Sequence, residues 1–262
     1  LGLGSVTHLD DHNPWGIWIA FDVACGVALA AGGFLTAALV EIFGRRRYRP
    51  LLRPALLTAF LGYLWVAIAL LFDLGRYWNS WRPLFHWQGN SVLFEVGMCV
   101  TFYLMVLGVE MSPAILEGLK ERIDGDGWGA AVLRRVEGPI HVLYSWVHIV
   151  LPIFIVAGVV LSCMHQSSLG TLMLIAPTKL SNLWDTSLLP LLFLLSAFMV
   201  GFPMVILESI YANISFERKA EMELLTPLAR LIPWFLGIYG VVKIGDLIAR
   251  HAEINLLESP GA

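Results

Sequence analysis

Ionisable side chains recur inside long apolar runs of this sequence, at positions where a lipid-embedded charge would be hard to keep. Asp22 follows Trp15-Gly16-Ile17-Trp18-Ile19-Ala20-Phe21, about two helical turns into an apolar stretch. Glu95 stands about one turn into another, after Asn90-Ser91-Val92-Leu93-Phe94. Asp73 and Arg76 are three apart and can face each other across one turn. His165 opens the polar run His165-Gln166-Ser167-Ser168 at the end of a fourth stretch, and Lys243 and Asp246 are again three apart in the last. Glu41, Glu110 and Glu208 form a second set, near the opposite ends of their stretches. An acid within a bilayer costs a few kcal/mol or more, so its default reading is functional. Carboxylates, an imidazole and tyrosines at shared depths are the equipment of proton transfer and of hydrogen bonding to a carbonyl-bearing ligand.

The elements that must position these groups are membrane helices. Of 262 residues 58% are hydrophobic and 14% charged, with a mean hydropathy of +0.73. A soluble domain carries roughly 25% charge, so the chain reads as an all-α, polytopic transmembrane bundle. Six stretches reach the roughly 20 residues needed to cross a bilayer: 15–43, 52–74, 91–111, 140–164, 187–212 and 227–250. They read as a single transmembrane helical domain over 1–262, with no internal repeat. A start at Leu1 rather than Met suggests a piece of a longer chain, truncated at both ends. Cys25, Cys99 and Cys163 fall in apolar spans with no metal-binding spacing, as buried free thiols do.

Basic residues set the orientation. Arg45, Arg46, Arg47, Arg49 and Arg53 follow the first span, Lys120, Arg122, Arg134 and Arg135 the third, and Arg218, Lys219 and Arg230 the fifth. That side is cytoplasmic. The opposite loops hold only Arg76, Arg82 and Lys179 but are rich in aromatic and polar residues, among them Trp78, Trp81, His86, Trp87 and Trp184. Asp22, Asp73, Glu95, His165 and Asp246 therefore gather toward the extracytoplasmic face. Glu41, Glu110 and Glu208 lie toward the cytoplasm, as interfacial acids or as a proton entry route. The segment 116–137 is too short for a catalytic domain.

No Fe–S motif, nucleotide loop or HExxH occurs. A six-coordinate haem needs two histidines facing each other at one depth. His148 is the one deep in a span, and His141, seven residues away on the same helix, is about 10 Å off along the axis. Haem is thus disfavoured. A quinone suits the pattern better: its ring needs an apolar slot, its oxygens need donors, and its reduction needs two protons. Electrons would come from a partner on the outer loops.

The sequence resembles the NrfD/PsrC family of quinone-interacting membrane subunits, nearest the HybB-like anchors of uptake nickel–iron hydrogenases. The resemblance rests on Gly2-Leu3-Gly4-Ser5-Val6, Pro14-Trp15-Gly16, Trp18-Ile19-Ala20-Phe21-Asp22, Gly32-Gly33, Arg53-Pro54-Ala55-Leu56-Leu57 and Gly62-Tyr63. It continues through Asp73, Gly75-Arg76-Tyr77-Trp78-Asn79, Asn90 to Glu95, and Met164-His165-Gln166-Ser167-Ser168 with Gly170. It implies a parent protein of eight to ten spans in a bacterial or archaeal cytoplasmic membrane. It also implies an extracytoplasmic ferredoxin-like Fe–S subunit, a soluble partner such as a nickel–iron hydrogenase, and a site for menaquinone or ubiquinone. The iron–sulfur clusters would lie only in the partner. On that reading Asp22, Glu95 and His165 handle protons and bond the quinone. Trp15, Asp73, Arg76, Tyr77 and Trp78 shape its entrance, and Glu41, Glu110, Glu208, Lys243 and Asp246 are candidates for a proton path. A purely structural anchor and an ion-coupled transporter are the rival readings. Gly201-Phe202-Pro203 offers a helix break for the latter, although packing explains it as well.

Overall fold

The computed structural model describes residues 7, 26–74, 76–123, 134–175, 180, 183–218 and 221–250, without the side chains of 28, 29 and 73. Every regular element among them is helical. The longer ones are α1 (Gly26–Ala37), continued by a π turn over Ala38–Ile42, then α2 (Arg49–Asp73), the short α3 (Arg82–Phe85) and α4 (Val92–Ile123). They are followed by α5 (Glu137–Leu174), α6 (Leu189–Ser215), α7 (Met222–Ala229) and α8 (Ile232–Ala249). Five stretches are long and apolar enough to span a membrane, and a shorter apolar helix covers Ala30–Ile42. The polytopic helical bundle expected from the sequence is therefore the fold.

Helix α1 is the centre. It packs against α2, α5 and α6, while α4 lies against α2 and α5, and α8 against α6. Its sequence explains this. Helices in lipid approach closely where residues are small, and α1 runs Gly-Val-Ala-Leu-Ala-Ala-Gly-Gly. A Cβ on Gly33 would come within 2.6 Å of the Ala59 methyl and 3.1 Å of the Ala55 carbonyl on α2. One on Gly32 would meet Val205 at 2.8 Å and the Gly201 carbonyl at 3.1 Å on α6. Ala30, Ala31 and Ala59 are wholly buried in consequence. Thr36, also buried, returns its hydroxyl to the Gly32 carbonyl at 2.7 Å, so the helix itself satisfies that polar atom.

Helix ends differ from the expected span ends, for one physical reason. Hydropathy marks where lipid stops, and hydrogen bonding need not stop there. The third span was expected to end at 111, but α4 continues to Ile123 through Leu116, Glu117, Leu119 and Lys120, all good helix formers. Glu110 is accordingly mid-helix and buried, rather than at a helix end in reach of water. The fourth span was expected to end at 164, but α5 continues to Leu174. His165, Gln166 and Ser168 are therefore interior helix residues, not the start of a loop. The sixth stretch divides at Arg230–Leu231, where Pro233 starts α8 within its first turn.

Both described cysteines, Cys99 and Cys163, are free thiols. Arg53 near the start of α2 pairs with Glu117 of α4 at 2.7 Å, and Lys120 lies 3.5 Å above the Tyr144 ring. The ion pair is exposed and worth about 0–1 kcal/mol. The apolar helix contacts therefore decide how α2, α4 and α5 assemble.

Candidate functional site

The polar interior is built mainly on one face of α5. Gly158, Ser162, His165 and Ser168 follow at steps of four, three and three, so they form one column beneath the surface of the helix. Helices α2 and α4 close over it, because α5 packs on α4 and α4 on α2.

His165 is at the centre of the column, 1% exposed, with Nδ1 2.7 Å from the Tyr63 hydroxyl of α2. Tyr63 is completely buried, and its ring meets Tyr103 of α4 edge to face, centroids 4.6 Å apart. A buried tyrosine needs a partner for its hydroxyl, and here the partner is an imidazole. Gln166 donates to the Val27 carbonyl of α1 at 3.4 Å, which ties this level to the central helix. One turn outward, Ser168 donates its hydroxyl to Glu95 Oε1, at the start of α4. Glu95 is solvent- or lipid-facing on its other side. It therefore links the interior column to the bundle surface at the start of α4.

Inward of His165, the Ser162 hydroxyl is buried and has no hydrogen-bond partner among the described residues. Such an orphan is uncommon in folded proteins and is often where an ordered water sits. Further inward, Glu110 of α4 is 7% exposed. Its carboxyl occupies the space left by Gly158, where a Cβ would stand 2.7 Å from Oε1. Among the described residues no basic group pairs with it. Among the described residues Glu110 is thus a buried carboxyl outside any ion pair, at the same helix face of α5 as the Ser162 hydroxyl.

The other expected residues are distributed around this column. Trp15 and Asp22 lie outside the described residues. So does the side chain of Asp73, whose backbone ends α2. Arg76 is exposed and precedes a short 3-10 turn over Tyr77–Asn79. Tyr77 and Trp78 are both more than half exposed and pack edge to face with each other, centroids 5.1 Å apart, on the outer surface. Glu41 is exposed in the π turn that ends α1. Glu208 of α6 is half-buried and accepts a hydrogen bond from Thr58 of α2.

Lys243 and Asp246 belong to a different construction. Asp246, 7% exposed, accepts from the Thr186 hydroxyl at 2.7 Å and from Arg250 Nη2 and Nε at 2.9 and 3.1 Å. Arg250 reaches on to the Asp185 carbonyl at 2.6 Å. Lys243 donates to the Leu183 carbonyl at 2.5 Å and lies 4.1 Å above the Trp184 ring. Thr186 also accepts from the Leu188 backbone amide at 3.2 Å, capping the start of α6. These bonds hold segment 183–188 to the outer end of α8. Asp246→Ala removes the bonds from Thr186 and Arg250, while the partly exposed Arg250 keeps its carbonyl partners, so a cost of about 1–3 kcal/mol is expected. Limited proteolysis between α5 and α6 measures this: faster cleavage is expected, and an unchanged rate would remove the clamp.

The column was missed in two places. Tyr63 and Tyr103 are not among the candidate residues named from the sequence, although a tyrosine in mid-span is a signal that its hydroxyl has a buried partner. Ser162 and Gly158 were hidden because only their spacing to His165 marks them.

Comparison with known proteins places the chain in a family. The family model for polysulphide reductase, NrfD, matches residues 5–250. A protein of Nitratidesulfovibrio vulgaris is 50% identical over 213 residues, 81% of this chain and 50% of its own length. The probable Ni/Fe-hydrogenase 2 b-type cytochrome subunit of Escherichia coli is 39% identical over 256 residues, 95% of this chain and 60% of that one. The integral membrane subunit of menaquinone reductase from Nitratidesulfovibrio vulgaris is 33% identical over 169 residues, 64% of this chain and 37% of that one. The chain thus spans 60% or less of the length of each of these relatives. No solved structure matches. With its membrane-spanning helices and a family match over nearly all its length, the chain belongs to the NrfD family of multi-pass membrane proteins.

Proposed function

We propose that this chain is the quinone-exchanging part of a membrane subunit in a respiratory oxidoreductase complex. The observation that carries the reading is the buried Tyr63–His165 hydrogen bond, 2.7 Å long, one turn from a Glu95–Ser168 contact that opens to the bundle surface. Reduction of a quinone consumes two electrons and two protons. The electrons come from iron–sulfur clusters of a ferredoxin-like subunit docked on the outer loops, where Arg76, Tyr77 and Trp78 are exposed. The Tyr63 hydroxyl donates to His165 Nδ1, which leaves Nε2–H of His165 to donate a hydrogen bond to a quinone oxygen as it gains charge, and Glu95 and Asp22 exchange protons with it. Quinol oxidation uses the same groups in reverse. The hydrogenase and menaquinone reductase subunits among its relatives support a hydrogenase-type or reductase-type soluble partner.

Glu110, Ser162 and Tyr103 extend the column inward, so a proton drawn from the cytoplasmic half would travel by Glu110 and a water at Ser162. Glu41 and Glu208 are candidates for its entry. Glu110→Gln is expected to slow quinone turnover several-fold by removing a proton-carrying group. Stopped-flow turnover in the intact complex tests this, and an unchanged rate would confine the route to the outer groups.

The histidines described do not fit a six-coordinate b-haem in this chain. His141, His148 and His165 all lie on α5, so no two of them can face one another across an iron. His148 instead stacks on Tyr144, centroids 4.2 Å apart, and is exposed on the bundle surface. His86 lies in the outer segment after α3. A reduced-minus-oxidised spectrum of the purified complex is expected to lack a haem band that disappears on His148→Phe. A band lost with that substitution would overturn the haem-free reading.

A further inference from the structure

A cavity of about 620 Å³ lies away from the buried column, at the outer surface between α3 and the start of α4. Its lining divides by chemistry. Arg82, His86, Gln88 and Ser91 supply hydrogen-bond donors at one end, and Leu93 and Phe94 an apolar wall at the other. No carboxylate is among the described residues of that lining. The polar end abuts the first turn of α4, where Ser91 Oγ accepts from the Phe94 amide at 3.3 Å. The volume lies within the range of about 300–1,000 Å³ typical of small-ligand sites.

The surroundings indicate what such a ligand carries behind its head. Leu93 is 62% exposed and Trp87 72%, in the layer where Trp marks the membrane interface. One turn below Leu93 is Gly97, and a Cβ placed there would meet nothing within 4 Å. Among the described residues, Leu93 and Gly97 therefore leave an open apolar strip on α4 below the cavity, wide enough at Gly97 to admit a chain. An anion-binding end at the interface, continued by an apolar strip, has the shape of a phospholipid.

We propose that this cavity holds the head group of an anionic phospholipid, its phosphate against Arg82 and His86 and one acyl chain along Leu93 and Gly97. A guanidinium and an imidazole chelate a phosphodiester through charge-assisted hydrogen bonds, and Ser91 and Gln88 complete its shell. The lipid is a structural ligand of the outer surface and takes no part in electron transfer. It sits where the outer loops meet the membrane, beside the exposed Tyr77 and Trp78.

The test uses the full-length protein in its complex, washed in detergent and then placed in nanodiscs of phosphatidylglycerol and phosphatidylcholine. Bound lipid is counted by native mass spectrometry, with a photoactivatable phosphatidylglycerol to locate it. The unaltered protein is expected to retain phosphatidylglycerol selectively and to label at residues 82–97. Arg82→Gln with His86→Ala is expected to weaken retention by about tenfold, the scale of one charge-assisted hydrogen bond. Gly97→Leu fills the strip while leaving every charge in place, and is expected to weaken retention as well. Gel-filtration elution of each variant confirms that it is folded. Equal retention in all three proteins would overturn the proposal. So would binding of inorganic phosphate as tight as that of the lipid, which would leave the apolar strip without a role. Labelling of the same residues by a photoactivatable quinone instead would assign the cavity to the substrate and overturn it too.

Discussion

His165→Ala in the assembled complex is expected to lower quinone turnover by about 100-fold or more, the usual cost of removing a positioned acid–base group. Electron delivery from the soluble partner to an artificial acceptor should be unchanged, because that path does not pass through α5. Tyr63→Phe separates bonding from packing. It keeps a ring against Tyr103 and deletes only the hydroxyl bonded to His165 Nδ1. A loss of about tenfold is expected, equivalent to one hydrogen bond made in the transition state. If Tyr63 only fixed the imidazole, KM would stay constant while kcat fell. If it also touches the ring of the quinone, both would change. Unchanged turnover in His165→Ala would move the quinone site away from the column altogether.

The second large effect is on assembly. Gly33→Leu is expected to abolish the folded protein, because the added atoms would have to enter the 2.6 Å space to Ala59 and displace the α2 backbone at Ala55. Gly32→Leu should do the same against α6, through Val205 and Gly201. Overpacking of this kind, at backbone contact on both sides of one helix, exceeds the roughly 1–3 kcal/mol of an ordinary core insertion. Membrane yield and protease resistance measure it. Gly237→Leu and Gly118→Leu are the controls, since a Cβ at either meets nothing within 4 Å. Equal yields for all four variants would mean that α1 is not the packing centre.

The bundle was legible because lipid imposes one rule on every residue of a span. Long apolar runs reported the helices without any knowledge of contacts. Those signals carried no information on helix ends, so α4 and α5 outran their expected limits by a dozen and by ten residues. The candidate site was legible in part. Glu95 and His165 stood out as polar residues in apolar surroundings, and both lie on the column. Tyr63 could not be linked to His165 from the sequence, since the two are 102 positions apart and meet only after α2 and α5 have packed. Lys243 and Asp246 show the opposite effect. Their depth matched the other ionisable groups, but their bonds to Leu183 and Thr186 join them to a loop. Depth alone does not distinguish a charge that is held from one that moves.

Pro152 is the one proline inside α5 beyond its first turn, and it precedes the whole polar column. A proline there removes one backbone hydrogen bond and crowds the carbonyl of His148, which makes it the natural pivot of that long rod. Everything from Gly158 to Ser168 is on the outer side of the pivot. The column can thus tilt as one rigid body, its internal spacings intact, while the inner third of the helix swings the other way. A bend at this single point would work as a lever, converting a small rotation of the segment before Pro152 into displacement of the imidazole against Tyr63.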